Sequence, residues 1–374
     1  MENTIVTSGR VKSIVEKLES HKDVSKVLML CLGGSHAYGT ATPTSDTDIR
    51  GIIVATPGVI RTPFRTLREM GIEDEEDGKV YELNNFMELF CDMNPNIIEL
   101  GFTDDEATLY STPEWEDLKS NLHLLLNKNV AYRFGGYAMA QLKRIKGHNK
   151  HINNPQPETA PRQLEFFRLV QSYIGVPVIR HDDFMRKLNN MEGICSLIPF
   201  GADIYGVVAD HRDEVGPMFN PDGSIRKLDY EAIPDSVKRQ PPVFIVKYLK
   251  DEHNKAKERH HNYWTWVKNR NAARHELEEK FGYDTKHAMH LVRLLRMGRE
   301  ILETGQVIVR RPDAEELLGI RNGTHSYEDI VEWADGQDKL LRDVLYRESK
   351  LPKNSNKGLA EELIIRAQDS VWSR

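Results

Sequence analysis

Residues 26–55 read KVLMLCLGGSHAYGTATPTSDTDIRGIIVA, and the fold turns on them. Val27 to Leu32 is an apolar run of strand length, Gly33 and Gly34 end it, and Ser35 is placed to open a short helix or helical turn. A polar loop from Thr40 to Ser45 leads into Asp46-Thr47-Asp48 and a second apolar run, Ile49 to Ala55. A strand feeding a Gly-Gly-Ser turn at a helix start makes an anion site, because backbone N–H groups point outward and glycine lets a phosphate approach closely. Residues two apart on a strand share a face, so Asp46 and Asp48 are expected side by side, roughly 6.5–7 Å apart at the backbone. Carboxylates so placed can bridge hard cations about 3.5–4 Å apart, the arrangement used for in-line displacement at phosphorus. Arg50 shares the face of Asp48 and could neutralise a phosphate or pair with that aspartate. Ser35 is expected to cap the helix and to touch phosphate. Tyr38 is read as packing and His36 as exposed. An anion cradle beside metal carboxylates says nucleotide chemistry.

Those residues carry a resemblance. Gly34-Ser35 followed by Ser45-Asp46-Thr47-Asp48 resembles the GS…(S)DxD signature of DNA polymerase β-like nucleotidyltransferases. The longer GSHAYGTATPTSDTDIRG is similar to a bacterial and phage nucleotidyltransferase family within that superfamily. Further similar patches are Asn94-Pro95 to Glu99-Leu100, Gly136-Tyr137 with Gln141-Leu142, GYDTKHAMHLVRLLRMG from Gly282, Arg311-Pro312 and Ile320 to Gly323. The resemblance implies an NTP whose β- and γ-phosphates rest on Gly33, Gly34 and Ser35. It also implies Mg2+ (or Mn2+) on Asp46 and Asp48, and transfer of an NMP to a hydroxyl acceptor with release of pyrophosphate. It calls for a third carboxylate from the neighbouring strand. Asp77, just ahead of Tyr81, fits the motif phase and would be the third metal ligand; Glu82, on the strand but opposite Tyr81, is the other candidate. Glu99 is a minor functional candidate in a structural segment. The acceptor stays open among RNA, a small molecule and a protein hydroxyl. Two alternatives remain, a catalytically silent nucleotide-binding regulator and an antitoxin-like transferase that modifies a partner protein.

At 374 residues the chain is long enough for two domains. A net charge of −6 excludes the global basic field of a general nucleic-acid binder. Cys31, Cys91 and Cys195 are far apart, which argues against a zinc ribbon or disulfide framework and for a reducing compartment. With no signal segment and no apolar run of membrane length, a soluble cytoplasmic protein without a membrane partner is expected.

Along the chain, Val11, Ile14, Val15 and Leu18 mark an amphipathic helix before the first strand. Lys79 to Leu83 reads as a further strand running into a helix around Phe86, Leu89 and Phe90. A helix is expected from Asn129 to Lys146, with Lys143, Arg144 and Lys146 able to meet phosphates, then a Pro-rich crossing. Residues 164–189 read as helix around Phe166, Phe167, Leu169 and Val170, broken near Pro177. Strand and turn follow around Ile204 to Val208 and Asn220 to Gly223, and helix resumes from Pro242. The histidines at 253, 260 and 261 are read as surface, and Tyr263, Trp264 and Trp266 as packing inward. Asp284 is a natural N-cap and Gly305 a natural stop. Lys286, His290 and Arg293 fall at i, i+4 and i+7 on that helix, a cationic row able to meet a triphosphate. The expected class is α+β: a small mixed β-sheet nucleotidyltransferase core flanked by helices (1–125), followed by a largely α-helical C-terminal domain (126–374) with a short β-hairpin insertion around 150–240.

Overall fold

The computed structural model describes residues 6–75, 77–172, 180–210, 214–269 and 272–373. The chain forms two compact units, one of residues 1–153 with 272–374 and one of 154–271. This differs from the expected division at 125, because the C-terminal helices share a core with the N-terminal sheet.

In the first unit, helix α1 (Ser8–Ser20) is capped by Thr7 and buries Val11, Ile14, Val15 and Leu18. Strand β1 (Val24–Leu32), the short helix α2 (Gly34–Tyr38) and β2 (Ile49–Ala55) follow. A single turn, α3 (Pro57–Ile60), and an edge strand absent from the sequence reading, β3 (Glu69–Gly71), precede β4 (Lys79–Glu82). The chain continues through α4 (Leu83–Cys91), α5 (Pro95–Gly101), β5 (Thr108–Ser111), α6 (Pro113–Asn121) and the long α7 (Val130–Asn153). The mixed sheet has the order β3-β4-β2-β1-β5, with β2 and β4 parallel and the other pairs antiparallel. Both central strands read as near-continuous apolar runs because both faces are covered. Leu28, Ile52 and Val54 pack into the larger, helical core, while Val27, Leu30, Ile49 and Ile53 meet α1 on the other side. Gly51 sits opposite Leu30; a Cβ there would press to 2.6 Å from the Leu30 side chain, so only glycine lets these strands close.

The returning chain adds α11 (Ala272–Phe281), α12 (Thr285–Thr304), α13 (Ala314–Arg321), α14 (Tyr327–Lys339), α15 (Tyr346–Glu348) and α16 (Lys357–Trp372). Asp284 caps α12 through the His287 N–H at 2.9 Å, and Gly305 ends it at φ 73°, both where sequence placed them. Helices α7 and α12 bury Phe134, Ala138, Leu142 and Ile145 against Leu291, Leu295 and Leu302 in one core.

The second unit corrects the sequence reading. Phe167–Ser172 is a strand, β6, and not a helix; α8 (His181–Asn190) follows, and the expected break at Pro177 lies outside the described residues. The turn expected at Asn220–Gly223 is present, with Phe219 bridged to Ile225, whereas an unexpected hairpin, β7 (Cys195–Gly201) and β8 (Ile204–Ala209), is half of a four-stranded sheet. Its order is β6-β9-β8-β7, where β9 (Phe244–Tyr248) follows the short α9 (Asp235–Lys238) and occupies a stretch read as helix. Only α10 (Lys250–Lys268) is helical there. His253 is a core residue, not a surface one, bonded to the Tyr248 hydroxyl at 2.7 Å and the Pro161 carbonyl at 3.1 Å. All three cysteines are free thiols. No helix among the described residues is long and apolar enough to cross a membrane.

Candidate functional site

The site begins where β1 runs out. Gly33 is the N-cap of α2, and its N–H donates to the Asp48 carbonyl at 2.7 Å, lashing the turn to the approach of β2. That N–H is therefore occupied, which leaves Gly34 and Ser35 to supply any donor of the turn to a ligand. Ser35 lies inside the helix rather than at its cap, which corrects its expected capping role. His36 is part-buried, not exposed, with Nε2 lacking a hydrogen-bond partner.

Asp46 and Asp48 precede β2 instead of lying on it, so their relation comes from the loop and not from strand alternation. The loop is closed on itself, with the Ser45 N–H donating to the Thr42 carbonyl at 2.9 Å and the Thr42 N–H to the Ser45 hydroxyl at 2.9 Å. Asp48 is part-buried, and burial lifts its carboxyl above the usual range; Arg50 opposes the rise, while Asp77 and Asp46 add to it. Three carboxylates thus share one electrostatic neighbourhood, with Lys286 from α12 also acting on it. Arg50 reaches Asp48 at 3.6 Å and donates to the Asp77 carbonyl, tying the β3–β4 loop to the site.

Gly34 is required here. It sits at φ 58°, and a Cβ on it would collide with Asp48 Oδ2. Gly34→Ala is expected to displace that carboxylate and to destabilise the fold by about 1 kcal/mol. Thermal melting and divalent-ion titration of the purified variant read both effects.

Glu82 stands apart. It caps α4 through Asn84 N–H at 2.7 Å and faces the core, whereas its neighbour Tyr81 lines the cleft. Burial lifts its carboxyl from an ordinary 4.5 to about 7, against the pull of the N–H groups it caps. A folded-state pKa raised in this way stabilises below 4.5, and that stabilisation is lost as pH rises through 7. Glu82→Gln is expected to keep the cap, flatten this stretch of the melting-temperature profile and leave any activity of the cleft unchanged.

The expected cationic row on α12 is broken up. Arg293 is buried, ion-paired to Glu99 and stacked over the Tyr38 ring at 3.6 Å. The Tyr38 hydroxyl donates to the other Glu99 oxygen at 2.5 Å. Burial, reinforced by Arg293, Lys286 and His287, pushes the His290 imidazole down to about 3, so it is neutral near pH 7. Of the three, Lys286 remains to act on the acidic loop. Asp48 opens onto a cavity of ≈ 240 Å³ lined also by Gly34, Arg50, Tyr81 and Asn96, while Asp46 and Asp77 do not line it. Tyr38 and Asn96 also line a groove of ≈ 810 Å³ between α7 and α12, with Tyr137, Arg144 and Lys286 along it. Reading Tyr38 and the Asn94–Leu100 segment as packing missed this shared wall; both lay inside stretches already marked as similar to the family.

The first strand of the mixed sheet enters a Gly-Ser helix, and the second follows an Asp-x-Asp pair. Residues 8–155 match the model of a family described as RlaP, the RNA repair pathway DNA polymerase beta family, in accord with the DNA polymerase β-like nucleotidyltransferase class. No curated protein and no solved structure matches the chain.

Proposed function

We propose that the chain is a metal-dependent nucleotidyltransferase that moves an NMP from an NTP to a hydroxyl acceptor and releases pyrophosphate. The observation that carries this reading is that Asp46 and Asp77 lie near enough to Asp48 to raise its carboxyl, above a glycine that leaves the Asp48 oxygen its space. Hard oxygen donors of this kind fit Mg2+ or Mn2+. Asp46, Asp48 and Asp77 would hold the ion, which when bound neutralises the triphosphate and favours attack at the α-phosphorus. The Gly34 and Ser35 N–H groups bind the outer phosphates, with Arg50 and Lys286 supplying positive charge. A carboxylate of the cluster takes the acceptor's proton as the new P–O bond forms and the bond to pyrophosphate breaks. The buried Glu99–Arg293 pair holds the Tyr38 ring in place between cleft and groove.

The family's description names RNA repair, and an RNA hydroxyl is the acceptor this reading favours. The groove supports it with the partly exposed rings of Tyr132 and Tyr137 and the exposed Arg144, which makes no ion pair among the described residues. Arg144→Ala is expected to raise KM for an RNA acceptor about 3- to 10-fold and to weaken its salt dependence, with kcat near wild type. To test the activity, each α-labelled NTP is incubated with Mg2+ or Mn2+ and pools of RNA, metabolites or protein. Label should enter the RNA pool and be lost in Asp46→Ala. Transfer to another pool would reassign the acceptor, and transfer to none would favour a silent nucleotide-binding protein.

A further inference from the structure

At the end of helix α7 a second cluster of ligand-type side chains is gathered from three helices. His148 lies near the end of α7, Glu278 on α11, and Asp284 at the cap of α12. One donor atom from each falls within 4.8 Å of the others. His148 Nδ1 stands 3.0 Å from Glu278 Oε1 and 3.5 Å from Asp284 Oδ2. Both carboxylates are almost wholly enclosed, with side chains 1% exposed. The cap bond uses Asp284 Oδ1 and leaves Oδ2 directed at the imidazole. The His287 ring stands nearby, its Nε2 3.6 Å from the same Oδ2 and its ring 5.9 Å from that of His148.

We propose that His148, Glu278 and Asp284 form a structural three-ligand site for a divalent transition ion of the zinc type. Two carboxylates this close and this buried repel each other and are expensive to desolvate unless positive charge stands between them. A divalent ion in this space would take a lone pair from each of the three groups. The spacings suit it. Zinc bonds of about 2.0–2.2 Å to nitrogen and oxygen give tetrahedral edges of about 3.3–3.5 Å; the carboxylates here lie 3.0 and 3.5 Å from His148 Nδ1, with all three donors within 4.8 Å of one another, so small side-chain shifts would bring them onto an ion. Mixed imidazole and carboxylate donors select such an ion over Mg2+ or Ca2+, which favour all-oxygen shells. The ion would fasten the end of α7 to the start of α12, the two helices that border the groove. This proposal is independent of nucleotidyl transfer and stands or falls separately.

The test uses the full chain with Asp46→Ala and Asp48→Ala, so that the acidic loop cannot hold the ion. After chelation, equilibrium dialysis against Zn2+ alone should return one tightly held equivalent per chain, with a raised melting temperature. Co2+ in its place should give the strong visible absorption of a tetrahedral site. Adding His148→Ala should weaken binding about 100-fold; Glu278→Gln, which preserves shape, should do the same with the circular dichroism spectrum unchanged. Absence of a tight equivalent, or binding indifferent to both substitutions, overturns the proposal and leaves the cluster a set of side-chain hydrogen bonds and ion pairs.

Discussion

Asp48→Asn is expected to abolish nucleotide transfer, by about 10³-fold or more, while the protein melts at the same temperature or higher. The loss corresponds to about 4 kcal/mol of transition-state stabilisation, the scale expected when a preorganised charge at a reacting centre is removed. The stability half of the prediction follows from the sign of the pKa shift. Burial, with Asp77 and Asp46 nearby, holds the Asp48 carboxyl above its ordinary value. Its ionised form therefore weighs against the folded state near neutral pH, and a neutral isostere relieves that strain. A structural aspartate would behave in the opposite way, losing stability and activity together. Initial rates with an α-labelled NTP, beside melting curves of the same preparations, distinguish the two.

Arg293→Ala is expected to destabilise the protein by about 3–5 kcal/mol, because it strands a buried carboxylate. Arg293 and Glu99 are 4% and 5% exposed, and the guanidinium lies on the Tyr38 ring besides reaching Met297 Sδ at 3.3 Å. Replacing both charges, Arg293→Met with Glu99→Gln, should recover much of that loss, since no unpaired charge remains. Urea unfolding midpoints give the coupling. A loss below about 1 kcal/mol for the single variant would place the pair among weak surface bridges and remove its role in holding Tyr38.

What could be read from sequence was local. Ile49–Ala55 is a strand with the bounds its apolar run suggested, and the cap at Asp284 and stop at Gly305 needed only their neighbours. Each is decided within a few residues by periodicity or by a capping hydrogen bond. The misread elements depend on distant partners. Phe166, Phe167, Leu169 and Val170 fit a helical stripe by chance, yet Phe167–Ser172 pairs with β9, where Phe167 stands opposite Tyr248. That pairing also explains why 244–248 is strand rather than the start of a helix.

The same limit governs the site. The Gly-Ser turn and the two aspartates were visible because they lie within one supersecondary unit. The fate of Arg293 was not, because its buried partner Glu99 lies 194 residues away. A spacing of i, i+4 and i+7 shows which residues share a helix face, but not whether that face meets solvent, a carboxylate or an aromatic ring. Asp77 and Glu82 were separable only once burial was known, the first exposed in a loop beside Asp48 and the second enclosed as a helix cap.

The most direct test of the central claim follows the fate of differently placed labels. Wild-type protein is given an RNA acceptor, Mg2+ or Mn2+, and NTP labelled at either the α- or the γ-phosphorus. The account predicts that α-label enters the RNA, that γ-label leaves as pyrophosphate, and that both processes stop in Asp46→Ala. Entry of γ-label into the acceptor, or α-label transfer that persists in Asp46→Ala, would contradict it.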